Sequence, residues 1–199
     1  MRSIETAEKR EVRDKRNRMV IGIVLIVLMV SSTIGFIFAF GGGNVSNGSN
    51  NEIEPDFSYN GFDFFKVGNK IRFQTLDWVF ETSLEPKETE SLDFDFPVTA
   101  QDFFNKPVYI VYDKRTSAIE ELERNLYGIS LRVSPTCLEG RECNNEGSVI
   151  KTCEDNVILI SESEEIKTYK EGNCIFLDGP KDKHLLLVDR LIYKILGIQ

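Results

Sequence analysis

The sequence predicts an α+β protein: an N-terminal transmembrane helix, then an outer domain in which a β-meander is followed by a small α/β sheet with two helices. Three observations carry this prediction. Met19–Phe40 is a run of 22 residues without Asp, Glu, Lys or Arg. Between residues 62 and 84, short runs of alternating apolar and polar residues are broken by turn-forming pairs. Val108–Tyr112 and Val157–Ile160 are continuously apolar, as in strands buried on both faces, and an amphipathic helical pattern lies between them.

The chain divides into a charged tail (1–18), the span (19–40), a linker (41–56) and the outer domain (57–199). At 1.5 Å per helical residue the span reaches about 33 Å, enough for a hydrocarbon core of about 30 Å. Seven Lys/Arg precede it and the next basic residue is Lys66, so the positive-inside bias places the N-terminus in the cytoplasm and the C-terminal domain outside. The alternative is a cleaved signal peptide. Ala39-Phe40-Gly41 has the small-x-small form, but signal apolar regions run to about 15 residues, and the length here favours an uncleaved single-pass anchor. No cysteine near residue 40 suggests a lipoprotein. The predicted partners are therefore the lipid bilayer and, through the outer domain, another envelope protein.

Charge divides at the same place. Residues 1–18 hold seven basic and four acidic residues, a net of +3, and the remaining 17 basic and 28 acidic residues give −11, which together make the −8 of the whole chain. A domain this acidic repels nucleic acid. The basic tail suits the anionic inner leaflet or a cytoplasmic docking partner. Glu5–Lys9, Glu11–Lys15 and Asp14–Arg18 are helix-supporting pairs within it.

The Gly/Asn/Ser-rich linker has little to bury and reads as a flexible tether. It carries two glycosylation acceptor patterns, at Asn44 and Asn47. Phe62–Val67 and Lys70–Leu76 then flank Gly68-Asn69, a two-residue hairpin signal. Asp77 is a break, and Trp78–Leu84 forms the next strand with Trp78 and Phe80 on one side. At period two this aromatic stripe reads as core rather than a ligand platform. KETESLDFDF reads as an acidic connector, and Thr99 with Asp102 as a capping box for a helical turn carrying Phe103 and Phe104.

In the α/β part, Ser117 with Glu120 reads as the capping box of a helix that runs to about Tyr127, with Ile119, Leu122 and Leu126 on one face and Gly128 as its stop. Leu131–Ser134 and Cys174–Leu177 are further strands. Pro180 opens a last helix over about 181–196 with a wide apolar stripe, expected to lie across the sheet.

All four cysteines, Cys137, Cys143, Cys153 and Cys174, fall in the outer part. In an oxidising compartment an even number reads as disulfides, and of the three connectivities Cys137–Cys143 with Cys153–Cys174 is favoured. Zinc and redox chemistry are disfavoured, because there is no C-x-x-C and His184 is the only histidine.

No catalytic motif is present and no catalytic residue, metal or cofactor is predicted. His184 reads as an exposed residue at a helix start. Acidic groups such as Asp93, Asp95, Glu162, Glu164 and Glu165 read as solvated surface. Open α/β sheets bind ligands beyond the carboxyl ends of their strands. That rule marks two candidate ligand loops: Asp113, Lys114 and Arg115 after the first central strand, and Asp178 and Lys181 after Cys174–Leu177.

Several short segments carry a resemblance: Tyr59-Asn60-Gly61-Phe62, Asn105-Lys106-Pro107 before the strand, the four-cysteine spacing, Gly172-Asn173-Cys174 and Val188-Asp189-Arg190-Leu191-Ile192-Tyr193. In these the chain resembles a group of single-pass archaeal membrane proteins with a four-cysteine extracytoplasmic domain and no established activity. The resemblance implies topology and fold. The functional expectation is a non-enzymatic binding or scaffolding module of the cell envelope. The alternatives are an envelope enzyme acting on peptide or glycan through strand-end carboxylates, and a membrane sensor.

Overall fold

The computed structural model describes residues 54–143 and 149–199. The described residues fall within one compact unit, 53–199. The predicted tail, span, most of the linker, Asn44 and Asn47 lie outside them. Among the described residues no helix is long and apolar enough to cross a membrane.

The first sheet is an antiparallel meander of β1 (Phe57–Tyr59), β2 (Phe62–Val67), β3 (Lys70–Thr75) and β4 (Trp78–Thr82). Each connection is a two-residue turn, set by the pairings Tyr59↔Phe62, Val67↔Lys70 and Thr75↔Trp78. Asn60-Gly61 and Gly68-Asn69 supply residues that tolerate positive φ, whereas Leu76 and Asp77 adopt φ of 51° and 63° without a glycine. Phe64, Phe73 and Phe80 line the inner face and are buried. Trp78 is not core. It is 51% exposed, because the buried face ends at Phe80 and the hairpin tip runs past the end of the helix beneath it. Gly128 at that helix end lies under Trp78.

Two short helices follow, α1 (Pro86–Thr89) and α2 (Ala100–Phe103), the second opened by the predicted pair, with Asp102 accepting the Thr99 N–H at 2.8 Å. The expected acidic connector is half core. Leu92, Phe94, Phe96 and Val98 are buried while Asp93, Asp95 and Pro97 are exposed. The extended backbone puts alternate residues on opposite sides, so the acids stay in water.

The second sheet has strand order β10-β11-β9-β5-β6. It contains β5 (Pro107–Tyr112), β6 (Arg132–Pro135), β9 (Val157–Glu162), β10 (Lys167–Glu171) and β11 (Cys174–Gly179). All are parallel except β10. β9 is central, as its continuously apolar first four residues, Val157–Ile160, require. The sequence reading missed β10, whose polar KTYKE suits an edge strand. The path is unusual: β9 connects to β10, and β11 returns between them. The loop at 163–166 therefore crosses the end of β11, where Ser163 N–H donates to the Gly179 carbonyl at 3.1 Å. A Cβ on Gly179 would sit 3.4 Å from Ile166 and 3.0 Å from Leu187, so a larger residue at this crossing would make both side chains give way.

The short parallel pair β7 (Cys137–Leu138) and β8 (Ile150–Lys151) stands apart. Both favoured disulfides form: Cys137–Cys143 and Cys153–Cys174, with Cα separations of 5.6 and 4.9 Å.

The long helices α3 (Ser117–Leu126) and α4 (His184–Ile195) serve both sheets. Ile119, Leu122 and Leu126 on α3, and Leu187 and Leu191 on α4, join a single core with Ile110, Ile158, Ile160 and Leu177. Each helix also presents an i, i+4 polar pair to the meander: Glu121 with Asn125, and Asp189 with Tyr193. The Asn125 amide donates to the Glu81 carbonyl at 2.8 Å and accepts the Glu81 N–H at 3.0 Å, completing the edge of β4 as another strand would. Asp189 Oδ2 accepts the Ser83 and Leu84 N–H groups at 3.1 and 2.9 Å, and Glu121 Oε1 accepts Ser83 N–H at 2.7 Å. Glu121 Oε2 also receives Lys70, the Ser83 hydroxyl and Arg124. The Tyr193 hydroxyl lies 2.5 Å from Thr82 Oγ1 and donates to the Leu84 carbonyl at 2.6 Å.

Asp189 and Glu121 are both fully buried, and two charges there would repel. Burial, then the neighbouring Glu121, push the Asp189 carboxyl up to about 9, so it keeps its proton. Burial opposes the charge on Glu121 too, but hydrogen bonds from Asp189, Lys70 and Ser83 outweigh it and hold that carboxyl below its ordinary value. Asp189 Oδ2 accepts two N–H groups, so Oδ1, buried without a hydrogen-bond partner, is the oxygen left to carry the Asp189 proton.

Two outcomes follow from this fold. Replacing Leu76-Asp77 by Asn-Gly is expected to raise stability by about 1 kcal/mol in denaturant unfolding, because both residues suit left-handed positions. The raised Asp189 contributes stability that is full below its ordinary 3.8 and is lost as pH rises towards about 9. Glu121 acts in the opposite sense, losing its contribution as pH falls through its lowered folded value. Asp189→Asn keeps the hydrogen bonds without a titrating proton. It should abolish the decline of the unfolding midpoint between the ordinary 3.8 and about 9, and an unchanged decline would place the proton elsewhere.

Candidate functional site

A cavity of about 240 Å³ opens at the carboxyl ends of β5 and β9 and beside the turn that follows β11. Its floor is apolar, formed by Ile119 and Ile160 with Tyr112 beside them, and its rim is charged, formed by Asp113, Lys114, Glu162 and Lys181. Thr116 and His184 complete the lining.

Strand parity explains the membership. Ile110 on β5 and Ile158 and Ile160 on β9 face the helices, so Tyr112 and Glu162, two residues further on, emerge on the same face and line the cavity. On β11 the helix-facing residues are Ile175 and Leu177, which turns Asp178 to the opposite face. There Asp178 accepts a hydrogen bond from the Ser161 hydroxyl.

Of the candidate ligand loops, Asp113, Lys114 and Lys181 meet in the cavity, while Asp178 and Arg115 do not line it. Arg115 is held by Glu123 in a bidentate pair of 2.5 and 3.2 Å, with Glu120 at 3.5 Å, and Glu123 above all raises its pKa. By contrast, none of Asp113, Lys114, Glu162 and Lys181 makes an ion pair or side-chain hydrogen bond among the described residues.

Two local features differ from expectation. The N-cap of α3 is Thr116, with φ −130° and ψ 170°, so Ser117 is the first helical residue and Glu120 lies one place too far along for a capping box. The Thr116 side chain makes no cap bond, and its hydroxyl oxygen is buried without a partner. His184 is buried at 8% exposure rather than exposed. Pro180 starts a single 3-10 turn, Lys181–Lys183, that carries the ring back under the sheet. There Nε2 lies 3.0 Å from the Gly179 carbonyl and 3.2 Å from the Ser161 carbonyl. Two carbonyl acceptors require Nε2 to bear a hydrogen, and Nδ1 has no hydrogen-bond partner among the described residues.

The sequence reading missed Tyr112, Thr116, Ile119, Ile160, Glu162 and His184. For Tyr112 and Glu162 the signal was available as strand parity. For His184 it was not, since only the packed turn shows which way the ring faces. Comparison with protein families, with curated proteins and with solved structures finds no match for this chain.

Because the rim charges hold nothing else in place, Glu162→Gln and Lys181→Met are each expected to change stability by less than about 0.5 kcal/mol. A larger loss in denaturant unfolding would assign these residues to the fold instead of a ligand.

Proposed function

We propose that the chain is a single-pass membrane protein whose outer domain is a non-enzymatic binding module of the cell envelope, with the cavity at the strand ends as its ligand site. The observation that carries the reading is the cavity itself, in which four charged side chains converge without partners of their own. Groups left uncommitted around an apolar floor suit recognition of a small polar molecule. The 22-residue uncharged run, the basic segment before it and the two disulfides support an anchored domain outside the cytoplasm. The resemblance to single-pass archaeal membrane proteins agrees with that topology. Contact with a second envelope protein falls to the meander tip, where Leu76, Trp78 and Val79 are each at least half exposed.

A second reading, an enzyme acting on peptide or glycan, is favoured by the two carboxylates, Asp113 and Glu162, that line one cavity.

The topology has a direct test in right-side-out vesicles carrying the full chain tagged at both ends. External protease is expected to remove the C-terminal tag and spare the N-terminal one. Protection of the C-terminal tag would overturn the reading, and loss of both would exclude a cytoplasmic N-terminus.

A further inference from the structure

We propose that the cavity binds a small zwitterion, a free α-amino acid with an aliphatic side chain. The inference rests on the cavity being a ligand site and adds the class of ligand. The rim carries two acidic and two basic side chains, and none is neutralised by a described neighbour. A simple anion meets Lys114 and Lys181 but is repelled by Asp113 and Glu162, and a simple cation meets the reverse. Only a ligand with both charges a few bonds apart satisfies all four.

Each end has a place. The carboxylate belongs at the start of α3, a helix of ten residues whose first N–H groups have no intrahelical acceptor and whose dipole favours negative charge. The buried, unpartnered Thr116 hydroxyl adds a donor at the same point. The ammonium belongs towards Glu162 and His184. That ring is more than nine-tenths buried, lines the cavity and is fixed through Nε2 by two carbonyls, which leaves Nδ1 as its one nitrogen without a partner among the described residues. The apolar floor of Ile119 and Ile160 receives the aliphatic side chain.

The test uses the full chain in lipid nanodiscs and isothermal titration calorimetry with three probes: L-valine, isovalerate, which lacks the ammonium group, and isobutylamine, which lacks the carboxylate. L-valine is expected to bind at least about tenfold more tightly than either analogue, the usual scale for losing one charge-assisted contact. Thr116→Val should weaken L-valine by about tenfold. It should leave the unfolding midpoint unchanged, because the hydroxyl makes no cap bond. Isovalerate or isobutylamine binding as tightly as L-valine would overturn the zwitterion and leave the cavity reading standing. No binding of any probe at tens of millimolar would also overturn it, and the stability of the Glu162 and Lys181 variants judges the cavity separately.

Discussion

The Glu121–Asp189 pair is the contact on which the rest of the domain depends. It sits where the last strand of the meander leaves its sheet, and it closes three structural debts at once. The N–H groups of Ser83 and Leu84 gain acceptors, the Lys70 ammonium gains an anion, and the two long helices are fixed to one point. One negative charge distributed over two buried carboxyl groups, with cations arriving from β3 and from α3, keeps the desolvation cost bearable. Without it, the aromatic face of the meander would still be apolar, but only the Asn125 and Tyr193 hydrogen bonds would fix its angle to the helices. The helices in turn set the floor of the cavity, since Ile119 and His184 belong to the same two elements.

The molecule thus uses charge in two opposite ways. At the junction the ionisable groups are buried, and each is committed to several partners. At the cavity rim they are exposed and committed to none. Arg115 marks the boundary: it is adjacent in sequence to Lys114, yet Glu123 holds it on the outer side of α3, away from the rim. Elsewhere on the surface Lys151 is paired with Asp155.

Much of this was legible in the sequence. The hairpin signals, the two apolar strands, the α3 stripe and the disulfide pairing all rest on local chemistry and all stand. The misses share a cause, which is that burial is decided by what packs against a segment. Leu92–Val98 alternates like a strand but pairs with nothing regular, and its acids drew attention away from its four buried apolar residues. Trp78 has the right parity for the core but stands beyond the end of the helix that would cover it. Asp178 has the right position along the chain and the wrong face. Glu162, passed over as one acid among many, has both. The clamp at Glu121 and Asp189 was beyond reach, because residues 68 positions apart have no local reason to share a proton.

The return of β11 between β9 and β10 has a consequence in time. β10 and β11 are joined by the two-residue turn Gly172-Asn173 and pair as a hairpin, so β11 reaches its place beside β9 together with β10, on a chain that folds back across it. The Cys153–Cys174 bond ties the segment before β9 to the first residue of β11. The Gly179 carbonyl and the His184 ring arrive with the same strand and the turn behind it. Lys181 and His184 come from the chain beyond β11, so the cavity is complete only once the last turn and helix have packed.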